Sequence, residues 1–243
     1  MPCTALSRVF VPAVPGLPVH VYLKAHIEQG PVLEREGKVI GVVTGIQGKI
    51  TWEVTVEGAE GHAGTLDMAD RRDAVAAFAR IASALHTEIG TADPDVKFTI
   101  GRIQAEPNAP SVVPGRVVFH IDLRHPDTGA LARLGHQVEA LARRHAPPCA
   151  VTARRLADAP PNVFDPGLQR RITAAAAALG LPAQPILSAA GHDARHMAPL
   201  CPAAMIFIPC RGGVSHAEAE WSDPGHVQAG AAVLATVLSE LLI

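Results

Sequence analysis

The sequence predicts an α/β fold in which a compact β-α-β-β-α-β unit is inserted into a second α/β unit. Three observations carry this. Stretches with helical spacing of apolar residues alternate with stretches of period two. Between residues 47 and 164 the predicted elements run β-α-β-β-α-β, the split βαβ (ferredoxin-like) arrangement of an antiparallel sheet with two helices on one face. Beyond it, Ala203–Ile208 (AAMIFI) is apolar at every position, which suits a strand in the middle of a sheet covered by helices.

Residues 39–46 are β-rich and end in glycines, and 50–57 (ITWEVTVE) alternates as a strand. A glycine-rich loop spans 58–64, with Thr65 or Asp67 as candidate N-cap for the helix that follows. That helix spans 71–89, with Ala74, Val75, Phe78, Ile81, Ala82 and Leu85 along one face. Strands 96–103 and 115–123 flank a proline-rich loop. A helix follows over 127–145 and a strand over 150–156. Asp165-Pro-Gly opens a helix through Leu179, with Gly180 at its C-terminal end. Residues 185–188 are short and extended, GHDARHMAPL is a helical turn after a loop, and 226–242 is a closing helix. The predicted division is therefore 1–46 and 165–243 in one α/β unit, with 47–164 inserted.

Bulk properties narrow the function. Hydrophobic residues are 48% of the chain, enough for real cores, and the net charge of -2 gives no basic field for nucleic acid. Pro2, Pro12, Pro15 and Pro18 break any signal-peptide apolar core, and no apolar run is long enough to span a bilayer. Cys3, Cys149, Cys201 and Cys210 form no CxxC, so buried thiols in a reducing cytoplasm are expected. Twelve histidines raise the expectation of metal or proton chemistry.

The reactive residues gather in a few blocks. In HIEQGP, His26 and Glu28 share one face of a strand and Gln29 the other, or the turn before Gly30-Pro31. RGGVSHAEAE places His216 beyond a di-glycine after the buried strand, where α/β sheets place ligands. His62 lies in the glycine-rich loop and can donate to an oxyanion. Asn108 stands between two prolines, and Arg124 ends a strand with a fork able to grip a carboxylate. Gly191, His192 and Asp193 lie at a helix N-terminus, where anions are favoured. Each block alone has an ordinary structural reading: a satisfied strand-end histidine, a solvated arginine, a turn asparagine, an Asp-His cap.

Their order and company decide. YLKAHIEQGPVLEREGKVIGVVTGIQG resembles the core segment of the amidase/hydantoinase/carbamoylase branch of the M20 metallopeptidase-like hydrolases. GHAGTLDMADRRDA, PNAPSVVPG, DLRHPD, AGHDA and GGVSHAEAE resemble further blocks of that family, in the same order. The resemblance runs from about Val19 to the C-terminus. It implies an α/β catalytic domain with a dinuclear site for zinc, manganese or cobalt, and an inserted lid that mediates homodimerisation. It further implies His26 and His216 as metal ligands and His62 as oxyanion donor, acting across the dimer. Gln29, Asn108, Arg124, Gly191 and His192 are then substrate-binding. The implied reaction is hydrolysis of C–N bonds in N-carbamoyl or ureido carboxylates, in the cytoplasm.

The chain departs from the pattern in two places. The family carries an HxD-type histidine, a bridging aspartate and a pair of glutamates ahead of the HIEQGP block. MPCTALSRVFVPAVPGLPVHVY has no HxD and no glutamate. The catalytic domain is thus expected to be partial, the isolated chain inactive, and the missing half to come from elsewhere, including a separate polypeptide. Strand 203–208 is accordingly expected to have lost neighbours and to expose an apolar face. Glu218 stands where the family has proline. Asp193, Glu218 and Glu220 are conceivable substitute ligands without support from spacing, and Glu28 is a candidate to orient a ligand. Two further readings are a non-catalytic dimerising protein and an M20 aminoacylase or peptidase.

Overall fold

The computed structural model describes residues 19–242. The readings made for Cys3 and for the prolines at positions 2, 12, 15 and 18 lie outside these residues.

Two sheets organise the chain. The first contains β1 (Tyr22–Ile27), β2 (Ile40–Ile46), β10 (Ala183–Ser188) and β11 (Ala203–Ile208) in the order β1-β11-β2-β10. β1 runs parallel to β11 and β10 parallel to β2, while β11 and β2 are antiparallel. A two-residue strand, β9 (Asn162–Val163), also pairs with β2. The second sheet holds β3 (Gly48–Glu57), β5 (Lys97–Glu106), β7 (Arg116–His125) and β8 (Ala150–Ala159), all antiparallel in the order β5-β7-β3-β8. With α2 (Ala74–Glu88) and α3 (Thr128–His145) packed on it, this is the split βαβ arrangement read from the sequence.

The patterns explain the layers. Alternate residues of β3, Ile50, Trp52, Val54 and Val56, are buried, and so are Val117, Phe119, Ile121 and Leu123 of β7. They meet Ala77, Ile81 and Leu85 of α2 and Leu131, Leu134 and Val138 of α3 in one core. Alternation on the strands and 3.6-residue spacing on the helices supply these two matching faces. Both helices begin at an aspartate. Asp73 Oδ1 accepts from the Ala76 N–H at 2.9 Å, and Asp127 Oδ1 from the Ala130 N–H at 2.6 Å. The cap of α2 is therefore Asp73 rather than Thr65 or Asp67. Asp67 instead precedes a single 3-10 turn, Met68–Asp70.

The expectation for β11 needs correction. It keeps a neighbour on each side, and all six residues are buried. One face meets α4 (Pro166–Ala178) and α6 (Pro224–Leu241) through Ile172, Val233 and Val237. The other meets Leu33, Phe164 and Ala194, the first residue of α5 (Ala194–Met197). Cys149, Cys201 and Cys210 are buried free thiols. Among the described residues no helix is long and apolar enough to cross a membrane.

The sheets are joined directly at Ile46-Gln47-Gly48, and Gln47 is buried. Its side chain donates to the Ala189 carbonyl at 2.9 Å, its own N–H to the Ser188 carbonyl at 3.1 Å, and its carbonyl accepts from Arg195. A glycine is required next door: a Cβ on Gly48 would lie 2.4 Å from Leu131 Cδ2. The connection is thus packed on both sides and fixes where the β10 loop meets the second sheet.

Candidate active site

The C-terminal ends of the parallel strands β1 and β11 open side by side, with Ile27 opposite Ile208. The loops leaving them carry HIEQGP and RGGVSH, and they interlock. Gly213 adopts φ +68, and a Cβ there would stand 2.8 Å from the Gly30 carbonyl carbon and the Pro31 nitrogen. Cys210 Sγ lies 3.6 Å from the Gly30 carbonyl oxygen, and Glu34 accepts from the Gly212 N–H at 2.7 Å.

Glu28 does not share the face of His26 as read from the sequence, because β1 ends at Ile27. Its carboxylate turns back to accept the N–H groups of Val32 and Leu33, both at 2.8 Å, at the start of α1 (Val32–Arg35). It caps the helix that braces the loop. Glu28→Ala leaves the buried Leu33 N–H and the half-buried Val32 N–H without this acceptor and is expected to lower stability by about 1–3 kcal/mol. Chemical denaturation of the two forms measures it, and an unchanged midpoint contradicts the capping role.

His26 Nδ1 lies 2.9 Å from the Ile27 carbonyl oxygen, which can only accept. The proton therefore sits on Nδ1 and the lone pair on Nε2, the tautomer of an oriented metal ligand. The His192 ring packs edge-on against it, with centroids 4.8 Å apart. Asp193 accepts from Tyr22 at 3.0 Å and pairs with Lys24. Tyr22, Lys24 and His26 alternate along one face of β1 and hold the 189–193 loop from below. Lys24 and Tyr22 were not singled out in the sequence, although their period-two spacing from His26 marks them. Lys24 draws the Asp193 carboxyl down to about 2.

His192 is buried, and its Nε2 has no partner among the described residues. Burial, reinforced by His26 and Lys24 and opposed by Asp193, pulls its pKa down to about 4. Unfolded, the ring titrates near 6.5. Between those values the unfolded chain binds a proton that the folded chain does not. The contribution of His192 to stability is therefore full above pH ~6.5 and is lost as the pH drops toward about 4. NMR titration of the metal-free chain is expected to show His192 neutral at pH 6, and a midpoint at 6 or above contradicts this.

On the opposite loop, Gln29 Nε2 donates to Ser215 Oγ at 2.8 Å and lies 3.1 Å from His216 Nε2. Arg124 faces the 189–193 loop from the other sheet. Its Nε and Nη2 bind Asp122 at 2.7 and 3.0 Å, and its Nη1 donates to the Ala189 carbonyl at 3.0 Å. Asp122 raises the Arg124 pKa, so the fork is permanently charged. A Cβ on Gly191 would meet nothing within 4 Å, so space lies open above it.

His26 with His192, Gln29 with His216, and Arg124 with the loop of Gly191 are thus brought together. His62 and Asn108 are not hydrogen-bonded to this group. They share a different feature, a two-residue pairing of β4 (Gly61–His62) with β6 (Val112–Val113) just beyond Asn108. Both residues are exposed, and Asn108 adopts φ 56.

The imidazoles of His26 and His216 each fit a metal-ligand role. Among the described residues, no group of three or more His, Cys, Asp or Glu side chains is placed to hold a metal. Two imidazoles do not complete a dinuclear centre, whose ions each take about four ligands.

The model of peptidase family M20/M25/M40 matches residues 7–240. The chain belongs to this family. As an M20 protein it is 40% identical over 220 residues to N-carbamoyl-L-amino-acid amidohydrolase of Rhizobium meliloti, covering 89% of this chain and 52% of the relative. It is 35% identical to allantoate amidohydrolase of Bacillus subtilis, covering 92% and 55%. The crystal structure of a hydantoinase/carbamoylase family amidase from Burkholderia multivorans superposes with a TM-score of 0.84 at 39% identity, covering 92% of this chain and 55% of that one. This M20 chain spans about half the length of the curated relatives it matches. M20 proteins are generally metal-dependent.

Proposed function

We propose that this chain forms one wall of a metal-dependent amidohydrolase site that cleaves C–N bonds of N-carbamoyl or ureido carboxylates. The single observation that carries this reading is the juxtaposition of His26 in its ligand tautomer, the Gln29–His216 contact, and a charged Arg124 fork at the adjoining loop. The relatives named as carbamoyl-amino-acid and allantoate amidohydrolases support it.

In this reading His26 and His216 each give one ligand to a divalent zinc, manganese or cobalt pair. The pair's chemistry is Lewis acidity toward water and the scissile carbonyl. Arg124 and Asn108 hold the substrate carboxylate, Gln29 and the 191–192 loop orient the ureido group, and His62 from a partner copy donates to the developing oxyanion. The remaining metal donors come from residues outside this sequence, in the same or another polypeptide. Residues 1–46 and 165–243 act as the catalytic unit and 47–164 as the lid through which copies dimerise.

A chimera in which this chain replaces the matching part of the Rhizobium meliloti relative tests the reading. With Mn²⁺, Co²⁺ or Zn²⁺ it is expected to hydrolyse N-carbamoyl amino acids or allantoate and to stop on chelation. Turnover of N-acetyl amino acids or dipeptides in their place points to an aminoacylase or peptidase instead. The absence of a metal-holding group among the described residues favours a second reading, a non-catalytic dimerising protein. A chimera that folds and dimerises by light scattering but hydrolyses none of these substrates supports it.

A further inference from the structure

Glu220 is exposed, forms no ion pair among the described residues, and has no part in the reading above. Yet its Oε2 accepts from the Ser215 hydroxyl at 3.0 Å and from the backbone N–H of His216 at 3.0 Å. A carboxylate only accepts. The Ser215 proton is therefore committed to Glu220, and the serine oxygen must serve as acceptor on its other side. There it meets the carboxamide nitrogen of Gln29 at 2.8 Å. The second proton of that nitrogen points to His216 Nε2 at 3.1 Å, so this imidazole carries its own proton on Nδ1. Each donor in the ring has one acceptor, and the direction of every bond follows from the charge on Glu220.

Backbone geometry gives an independent reason for such a device. Gln29 and His216 adopt φ 59 and φ 58, the left-handed region that side-chain-bearing residues enter only at an energetic cost. Neither is glycine. The cost persists only where surroundings over-determine the conformation, and the Glu220 bond to the His216 N–H does so at one of the two.

We propose that Glu220 is a positioning residue: through Ser215 it fixes the orientation of the Gln29 carboxamide, and through the backbone it fixes His216. The carboxamide nitrogen is turned toward Ser215 and His216, which leaves Oε1 as the acceptor available to a substrate. Gln29 then selects an N–H donor, the group that a carbamoyl or ureido substrate carries and an ester lacks. This consequence rests on the proposed function, while the hydrogen-bond ring does not. The Ser215 link also survives if a metal takes the Nε2 lone pair of His216.

The test uses Glu220→Ala, Glu220→Gln and Ser215→Ala. In the metal-free chain, long-range ¹H–¹⁵N spectra read the His216 tautomer, and amide exchange reads the Gln29 carboxamide. The wild type is expected to show the Nδ1–H tautomer and a protected carboxamide. E220A is expected to mix the tautomers and deprotect Gln29. E220Q, which keeps an acceptor oxygen, is expected to restore most of both. S215A is expected to free Gln29 while leaving the His216 N–H protected, and it stands in should E220A fail to fold. In the active chimera, E220A is expected to lower kcat/KM about 10–100-fold, with E220Q recovering most of the loss. Unchanged spectra in E220A and S215A overturn the proposal. Spectral changes without turnover in any form uphold it and count only against the proposed function.

Discussion

Trp52→Ala is expected to lower the stability of the second sheet by about 3–5 kcal/mol, the usual result of deleting a buried aromatic ring. Trp52 is 0% exposed and sits mid-strand in β3, paired with Ile121 on one side and Arg155 on the other. Its ring fills the space left by Gly135 on α3: a Cβ on that glycine would be 3.5 Å from two atoms of the indole. The close approach of helix and sheet leaves no neighbour free to move into the void. Its Nε1 lies 3.4 Å from Glu139 and the Arg155 guanidinium lies 5.6 Å from the ring centre, so the substitution also removes the indole's contacts with this ion pair. Domain stabilities are commonly about 5–15 kcal/mol, so the variant is left marginal. The chain has two tryptophans, and the other, Trp221, stands on the His216 loop. In the variant, Trp221 fluorescence alone reports that loop while circular dichroism follows the sheets. Early loss of ellipticity with Trp221 fluorescence unchanged is expected. A midpoint within about 1 kcal/mol of wild type contradicts the assignment of Trp52 to the core.

The alternation that places Trp52 in a strand also made most of the fold legible. ITWEVTVE buries every second residue, and the structure extends that strand only by Gly48 and Lys49. Ala203–Ile208 was found at its observed limits because an all-apolar run between polar loops has few alternatives. The paired strands at 61–62 and 112–113 are not legible in the sequence because two residues carry no periodicity. Glu28 was misplaced for a related reason. Period two holds only while a strand lasts, and nothing in HIEQGP marks Ile27 as its last residue. The site was legible as blocks of residue types and not as contacts. His26, Gln29 and His216 stood out as chemistry. The side chains that hold the site's loops in place, Lys24, Tyr22, Gln47, Asp122 and Ser215, are of types that carry no such mark in a sequence. Only tertiary pairing across as many as 187 positions, as between Gln29 and His216, gives them meaning.

The second large effect concerns Arg124. A guanidinium has five N–H donors. Here Nε and one N–H of Nη2 go to Asp122, and one N–H of Nη1 goes to the Ala189 carbonyl. One N–H on each terminal nitrogen is left over, and these remain to donate to a carboxylate. Asp122 thus orients the fork while leaving donors that the carboxylate of the proposed substrate can use. It also offsets the repulsion from nearby Arg195, whose pKa is lowered by burial and by Arg124 itself. Two charge-assisted bonds at about 1.5–3 kcal/mol each correspond to roughly 10²–10⁴-fold. Arg124→Ala in the active chimera is therefore expected to reduce kcat/KM for a carboxylate-bearing ureido substrate by about that factor. Arg124→Lys keeps the charge but not the fork and is expected to recover little of it. Asp122→Asn is expected to fall between, because it loosens the orientation and leaves the donors in place. A neutral ureido substrate without a carboxylate separates the two things Arg124 does. If it gripped only the Ala189 loop, both substrates would lose activity equally in Arg124→Ala. If it grips the carboxylate, the neutral substrate, already poor, loses little more.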